Sequence, residues 1–501
     1  MIKYLFPLFA FCLASIGSAQ DYPGFGTEVN LDLTELTSKA KKANAKSAVQ
    51  IDIPMPSGEL ETVDFSTYKI SEEQPSDVFT YSGKSSKSGA NVRMTITPSA
   101  LNIVLQYKSG YYFIDPLDAS TGRYLMYNIN DGPQGKCGTT QDVFEIKKIT
   151  ESIKKSVAPF PVGTQLRKYR MAAAATGEMT VAMTSQTLAR DKIVAIMAAA
   201  NLIYNLEASV QFDLIAKTTT SMSIIFTNGA TDPFTPDPVF ANATNAQTGF
   251  NTMNGNASLL YSEYDIGHVF HINNGGGISA SGQAGPLPCS DTQKARAWTE
   301  FTAGAIPAGF VGFVAGLFVH EVGHQFQAWH TYNADGGTNN GETFCTGGWD
   351  NATAVEPGSG STLMGYGGNC TNTGGGNSYV LTSPNNEQYF HTKSLEQIYN
   401  TVTASGCITL TATENTPPVA NAGTDFEIPK GTPFALLGSA SDVNGGNALS
   451  YVWDQYDIAT AAGDRGALGS GINGYGGYPA VNSAASAPLF RSRISTTTPL
   501  R

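Results

Sequence analysis

Apolar and polar positions alternate with period two through the first part of the chain. "VRMTI" sets Val92, Met94 and Ile96 on one side, and "LNIVLQY" does the same with Leu101, Ile103, Leu105 and Tyr107. This is the pattern of strands with one buried face, and "YYFIDPLD" continues it. The rhythm breaks at "ESIKKSVAPFPVGTQ", where Lys154, Lys155 and two prolines predict an exposed linker open to proteolysis. Beyond it the period changes. "LRKYRMAAAATGEMT" predicts a strand, and Ile193, Ile196, Met197, Ala200, Ile203 and Tyr204 then recur at helical spacing. "VQFDLIAK" and "SMSIIFTN" predict two more strands, and "YSEYDIGHVFHINNGGG" predicts an apolar strand ending in glycines. A long apolar helix follows over "IPAGFVGFVAGLFVHEVGH", then a Gly/Asn/Thr-rich loop over about 333–362, then a closing helix at "TKSLEQIYNTVTAS".

These elements predict a β-rich unit over residues 20–160 and an α/β (α+β) unit over 165–410. After "PPVANAG", residues 416–501 carry short strands, Gly/Asn/Asp turns and a core candidate in Trp453, which predicts a third, β-only module. Its last residues, "SAPLFRSRISTTTPLR", lack periodicity, so the module is expected to be cut short.

Composition narrows the class. With 501 residues the chain can build a sizeable core, and a formal net charge of -11 argues against a nucleic-acid partner. "MIKYLFPLFAFCLASIGSAQ" joins Lys3, an apolar run and the small residues Gly17 and Ala19. It predicts a signal peptide over residues 1–19 and hence a secreted or cell-surface protein. No other segment reaches membrane length without polar interruption, so no transmembrane span is expected. The oligomeric state is left open.

The candidate chemistry sits in "HEVGHQFQAWH", residues 320–330, which holds three of only six histidines. His320 and His324 are a helical turn apart on one face and can reach a single ion. Glu321 lies beside them, placed to act on a water as general base without ligating the metal, the logic of H-E-x-x-H zinc sites. His330 follows after the helix must turn back and is the candidate third ligand. A chance match would instead leave these polar groups without partners in an apolar helix, at about 1–3 kcal/mol each.

With "STLMGYGG" farther on, the stretch resembles the metzincin zinc endopeptidases, whose signature joins three histidines to a Met-turn. "HEVGHQFQAWHTYN", "EPGSGSTLMGY" and "EYDIGHVF" look like the reprolysin-like branch of secreted bacterial metalloproteases, over about residues 165–410. The resemblance implies a mixed twisted sheet with an active-site helix, one catalytic Zn²⁺ on His320, His324 and His330, and Glu321 as general base. It implies Met364 as the floor of the site and a protein or peptide substrate added to the "DIGHVFHINNGGG" strand as the edge above the cleft. It suggests that Tyr366 approaches the zinc and helps bind the oxyanion, against the plain reading of a partly buried aromatic. The N-terminal unit then takes the position of a propeptide and residues 416–501 resemble an Ig-like or PKD-type β-sandwich. One departure stands out: the family's glycine between the second and third histidines is Gln327. A left-handed backbone there costs a non-glycine residue about 1–2 kcal/mol.

The remaining histidines, His268, His271 and His391, read as structural or rim residues, because His268 and His271 on a strand point to opposite faces. Asp232 and Asp237 in "TDPFTPDP" offer oxygen ligands for Ca²⁺, although the prolines favour a plain loop. After the leader, five cysteines remain. Cys289, Cys345, Cys370 and Cys407 are expected to form two disulfides, with Cys345 to Cys370 favoured among three pairings because they flank the active-site loop. Cys137 is left over. In "QGKCGTTQD" it faintly resembles the cysteine switch of matrixins and could close the zinc as a latency ligand; a buried free thiol is the plain alternative, and the carboxylate of Asp131 a second candidate. Two other functions compete with a latent peptidase. One is a surface adhesion protein with a structural zinc site, and the other a zinc amidase acting on a non-protein substrate.

Overall fold

A computed structural model describes residues 26–43, 47–108, 110–128, 136–137, 160–234, 243–273, 280–284, 287–302, 310–332, 348, 350, 352–356, 360–367, 387–425, 427–429, 434–444, 449–454 and 456. The leader, the Lys154–Lys155 linker, Asp131, Asp237, Cys345 and Cys370 lie outside these residues.

Eight antiparallel strands form the N-terminal sheet: β1 (Thr27–Asn30), β2 (Val49–Pro54), β3 (Leu60–Thr67), β4 (Phe79–Ser85), β5 (Asn91–Ile96), β6 (Leu101–Tyr107), β7 (Gly110–Asp118) and β8 (Arg123–Asn128), in the order β1-β8-β7-β6-β5-β4-β3-β2. Helix α1 (Leu33–Ala40) begins at Asp32, whose side chain accepts from Glu35 N. The alternation splits the sheet into two faces. Ile51, Val63, Met94, Ile103 and Ile114 build one core. Val104, Tyr111, Phe113, Leu125 and Tyr127 belong to the larger core of the following unit.

That unit is a mixed α/β layer. Its sheet runs β11-β10-β12-β14-β13-β9, from β9 (Lys136–Cys137), β10 (Gln165–Ala175), β11 (Val210–Leu214), β12 (Ile266–Asn273), β13 (Ala280–Ala284) and β14 (Ala297–Thr302), with β15 (Thr409–Ala412) beside β10. The helices are α2 (Gly177–Ala182), α3 (Gln186–Ala208), α4 (Ala216–Thr219), α5 (Ala243–Gly255), α6 (Val311–Gln325) and α7 (Thr392–Ala404). Helix α3 starts on Ser185, whose side chain accepts from Leu188 N, and ends on Ser209 in the left-handed region. It is buried nearly all round because it lies between two sheets. β5 and β6 cover one side, and β10, β11 and α6 the other. The α3 run from Ile193 to Ala200 is apolar and buried at every position, as befits a stretch covered on all sides.

Two expectations are corrected. "SMSIIFTN" is not a strand: it makes a single bridge, Ile225 to Ala175, and its Ile224 and Ile225 are buried in an irregular turn. β12 is not the sheet edge. It lies between β10 and β14, while β13 is antiparallel to β14 and carries β9 on its other side. The continuous apolar character of β12 is that of a strand flanked on both sides.

The C-terminal region contributes a two-stranded pair, β16 (Val419–Asn421) with β17 (Ser439–Ser441). Trp453 is half-buried, in no strand, with its ring near Gly438. The rest of the expected β-sandwich falls largely outside the described residues. No helix among the described residues is long and apolar enough to cross a membrane.

Candidate metal centre

Helix α6 carries the histidines. Its N-terminal Phe310 offers no side-chain cap. The N-terminal sheet supplies one instead: Val311 N donates to Asp115 Oδ2 at 2.6 Å and Gly312 N to the Tyr127 hydroxyl at 2.9 Å. Tyr127 in turn donates to Asp115 Oδ2 at 2.6 Å, and Asn102 Nδ2 to Asp115 Oδ1 at 2.7 Å. Burial raises the Asp115 carboxyl above the ordinary aspartate range, against these bonds and the Lys192 charge, which lower it.

After Gln325 the chain turns sharply. Phe326 N bonds Val322 O and Gly323 O, and Ala328 N bonds Gly323 O at 2.9 Å. Gln327 takes φ +64°, so the left-handed turn forms with a glutamine in place of glycine. It brings His330 back to the helix.

The three imidazoles are oriented by the same device. His320 Nδ1 lies 2.5 Å from Leu363 O, His324 Nδ1 2.8 Å from Ala328 O, and His330 Nδ1 2.7 Å from Gly348 O. Each Nδ1 proton is thereby directed to a backbone carbonyl, which leaves each Nε2 with an in-plane lone pair. The Nε2 atoms of His324 and His330 are 3.1 Å apart, and Cys137 Sγ is 3.4 Å from His324 Nε2. One ligand atom from each of Cys137, His320, His324 and His330 lies within 4.8 Å of the others, and all four residues are buried. Among the described residues this is the one such group of three or more His, Cys, Asp or Glu side chains.

The donor set fits a metal ion. His320 Nε2 is buried with no hydrogen-bond partner among the described residues, and two nitrogen lone pairs facing each other repel unless a cation lies between them. Protonation is disfavoured: burial pushes His320 down to about 4. Burial, and then the neighbouring histidines, hold His324 and His330 well below the usual range. Three neutral nitrogens and a sulfur are zinc-type ligands.

The surroundings are tightly packed. Met364 is fully buried, and a Cβ on Gly323 would come within 2.6 Å of its sulfur, so the glycine of "HEVGH" lets Met364 sit under the helix. Glu321 is fully buried beside His320. The Tyr366 ring lies 4.5 Å from that of His330, and its hydroxyl donates to Cys137 O at 3.0 Å. Burial first, then the charges of Cys137, Tyr332 and Glu321, raise its phenol well above the ordinary range. The structure therefore gathers His320, His324, His330, Met364, Tyr366 and Cys137 around one point.

Cys137 arrives on β9, which pairs parallel with β13 through Ser281–Lys136 and Gly282–Cys137. Of the other cysteines, Cys289 and Cys407 form a disulfide, with Cα atoms 5.6 Å apart. This joins the loop before β14 to the start of β15. The favoured Cys345–Cys370 pairing lies outside the described residues. His268 bonds Thr299 Oγ1 at 2.8 Å, His271 bonds Thr176 Oγ1 at 2.9 Å, and His391 Nδ1 accepts from Lys393 N at the start of α7. Asp232 accepts from Gly177 N and Phe234 N, so both of its oxygens serve backbone amides. Sequence reasoning missed Glu356. It is buried against the Met-turn, and its signal was the crowding of hydroxyl residues in "EPGSGST" beside that turn.

Residues 165–400 match the model of a known family, metallo-peptidase family M12B, reprolysin-like. The match supports a reprolysin-like metalloprotease, a hydrolase acting on peptides, from a family that normally binds zinc. The mixed α/β layer fits such a catalytic unit. No curated protein matches the chain.

Proposed function

We propose that this chain is a secreted zinc endopeptidase made as a latent zymogen, with His320, His324 and His330 as zinc ligands and Cys137 as the ligand that closes the site. The observation that carries this reading is the convergence of three Nε2 atoms, each fixed by a backbone carbonyl, on a point that the Cys137 sulfur also reaches. Zinc bound there would lower the pKa of water toward about 7 and polarise a scissile carbonyl. Glu321 takes the water proton on its carboxylate and delivers it to the leaving amine. Tyr366 donates to the developing oxyanion once its hydroxyl is released from Cys137 O. Met364 supports the ligands by packing.

The substrate is an extended peptide that adds to β13, the edge now covered by β9. Latency ends when the linker around Lys154–Lys155 is cut and β9 leaves. Export rests on the leader sequence alone.

A second reading has one observation in its favour: His₃Cys is a closed four-ligand set, as in structural zinc sites. The two readings part on metal content and casein cleavage by the purified chain after limited proteolysis of the linker, with and without a chelator. A peptidase gains chelator-sensitive cleavage when the linker is cut. A structural site keeps its zinc and stays inert.

A further inference from the structure

Behind the histidines lies a carboxylate that the chemistry above does not use. Glu356 is 1% exposed, and its partners Thr331, Ser361 and Thr362 are fully buried. Its Oε1 accepts from the Thr331 hydroxyl at 2.5 Å and from the Thr362 hydroxyl. Its Oε2 accepts from Ser361 N at 2.7 Å, Thr362 N at 3.1 Å and the Ser361 hydroxyl at 3.3 Å. Five neutral donors thus saturate one carboxylate, an arrangement worth more than the same bonds at the surface because the medium is poorly polarisable.

The donors come from two segments. Thr331 follows His330 directly, and its strand-like run pairs with that of Glu356: Glu356 N donates to Thr331 O at 2.7 Å, and Tyr332 bridges to Glu356. Ser361 and Thr362 precede Leu363, whose carbonyl orients His320. Thr331 N also donates to Met364 O at 3.2 Å. Gly360, at φ +71°, lets the Met-turn segment fold over the carboxylate; a Cβ there would lie 3.3 Å from Glu356 Oε2. One side chain therefore holds the chain behind His330 against the chain that fixes His320.

We propose that Glu356 is a positioning residue of the metal centre, holding His330 and the Leu363 carbonyl behind His320 in the spacing a single ion requires. The inference rests on the reading of the histidine cluster as a zinc site. Outer-shell groups that orient metal ligands typically change affinity by about 10–100-fold when altered.

The test is zinc affinity of the full chain by competition with a chromogenic chelator, with the melting temperature of the zinc-free chain measured in parallel. Glu356→Gln keeps the shape but turns an amide N–H₂ toward donors. It should weaken zinc by about 10–100-fold. Thr331→Val removes one donor and should weaken zinc by about 3–10-fold, the size of one net hydrogen bond. Thr331→Ser restores the hydroxyl and should return affinity to that of the parent. If Glu356→Gln does not fold, the Thr331 pair decides the matter alone. Parent-like zinc affinity in Glu356→Gln and Thr331→Val, even with a lowered melting temperature, would make Glu356 a purely structural residue and overturn the inference while leaving the zinc site intact. A parent chain without zinc affinity would instead overturn the zinc reading itself, and this inference with it.

Discussion

Asp115 and Val311 stand 196 positions apart, yet the Asp115 carboxylate accepts the first N–H of the helix that carries the histidines, at 2.6 Å. The N-terminal sheet therefore grips the start of α6 through Asp115 and Tyr127, while Cys137, on β9 of the other sheet, meets α6 near its end at His324. The N-terminal sheet also covers one side of α3. Removal of this unit would leave the first N–H groups of α6 and an apolar flank of α3 to find other partners, water included.

The cap has a measurable value. Asp115→Ala removes the acceptor of Val311 N and of the Tyr127 hydroxyl inside a buried contact. Urea denaturation of the intact chain should show a loss of about 2 kcal/mol or more, the scale of a lost N-cap plus a stranded buried donor. An unchanged midpoint would mean that water takes over the role of Asp115.

The turn at Gln327 yields a prediction of opposite sign. At φ +64° a side chain is strained. Gln327→Gly should therefore raise stability by a fraction of a kcal/mol to about 1, the relief being partly offset by the greater freedom of glycine in the unfolded chain. A clear loss in thermal denaturation would show that the Gln327 side chain makes a contact worth more than the strain.

The disulfide closes a separation of 118 residues between Cys289 and Cys407. Non-reducing peptide mapping should recover these two cysteines in one linked pair. Replacing both with alanine should destabilise the chain by about 2–5 kcal/mol, the usual range for a native bridge. Recovery of Cys289 linked to Cys345 or Cys370 would contradict the pairing.

Much of the site was legible in the sequence because its signals are local. His320 and His324 are one helical turn apart, and His330 follows after a turn whose strain Gln327 betrays. Helix α3 was legible from its helical spacing and α6 from its long apolar run, and β10 and β11 read as strands. What escaped is non-local or irregular. Ile224 and Ile225, in the turn before Ala230, mimic a strand because these apolar residues answer to burial and not to strand pairing. The order of strands in a sheet depends on partners far along the chain, so β12 passed for an edge although β13 and β9 lie beyond it. Asp115 met Val311 only through the docking of two sheets across α3, and Glu356 acquired its meaning only when Thr331 and Thr362 closed on it.

In the proposed function, Glu321 drives zinc-dependent peptide hydrolysis that Cys137 holds in check. The direct measurement is the rate of cleavage of a fluorogenic peptide by the uncut, zinc-loaded full-length chain in three forms: the parent, Cys137→Ala, and Cys137→Ala with Glu321→Gln. The expected result is a silent parent, an active Cys137→Ala chain that a chelator stops, and a double variant that keeps its zinc while its activity falls by about 10²–10⁴-fold, the range for a positioned general base. Equal latency of the parent and Cys137→Ala, or full activity in the double variant, would contradict it.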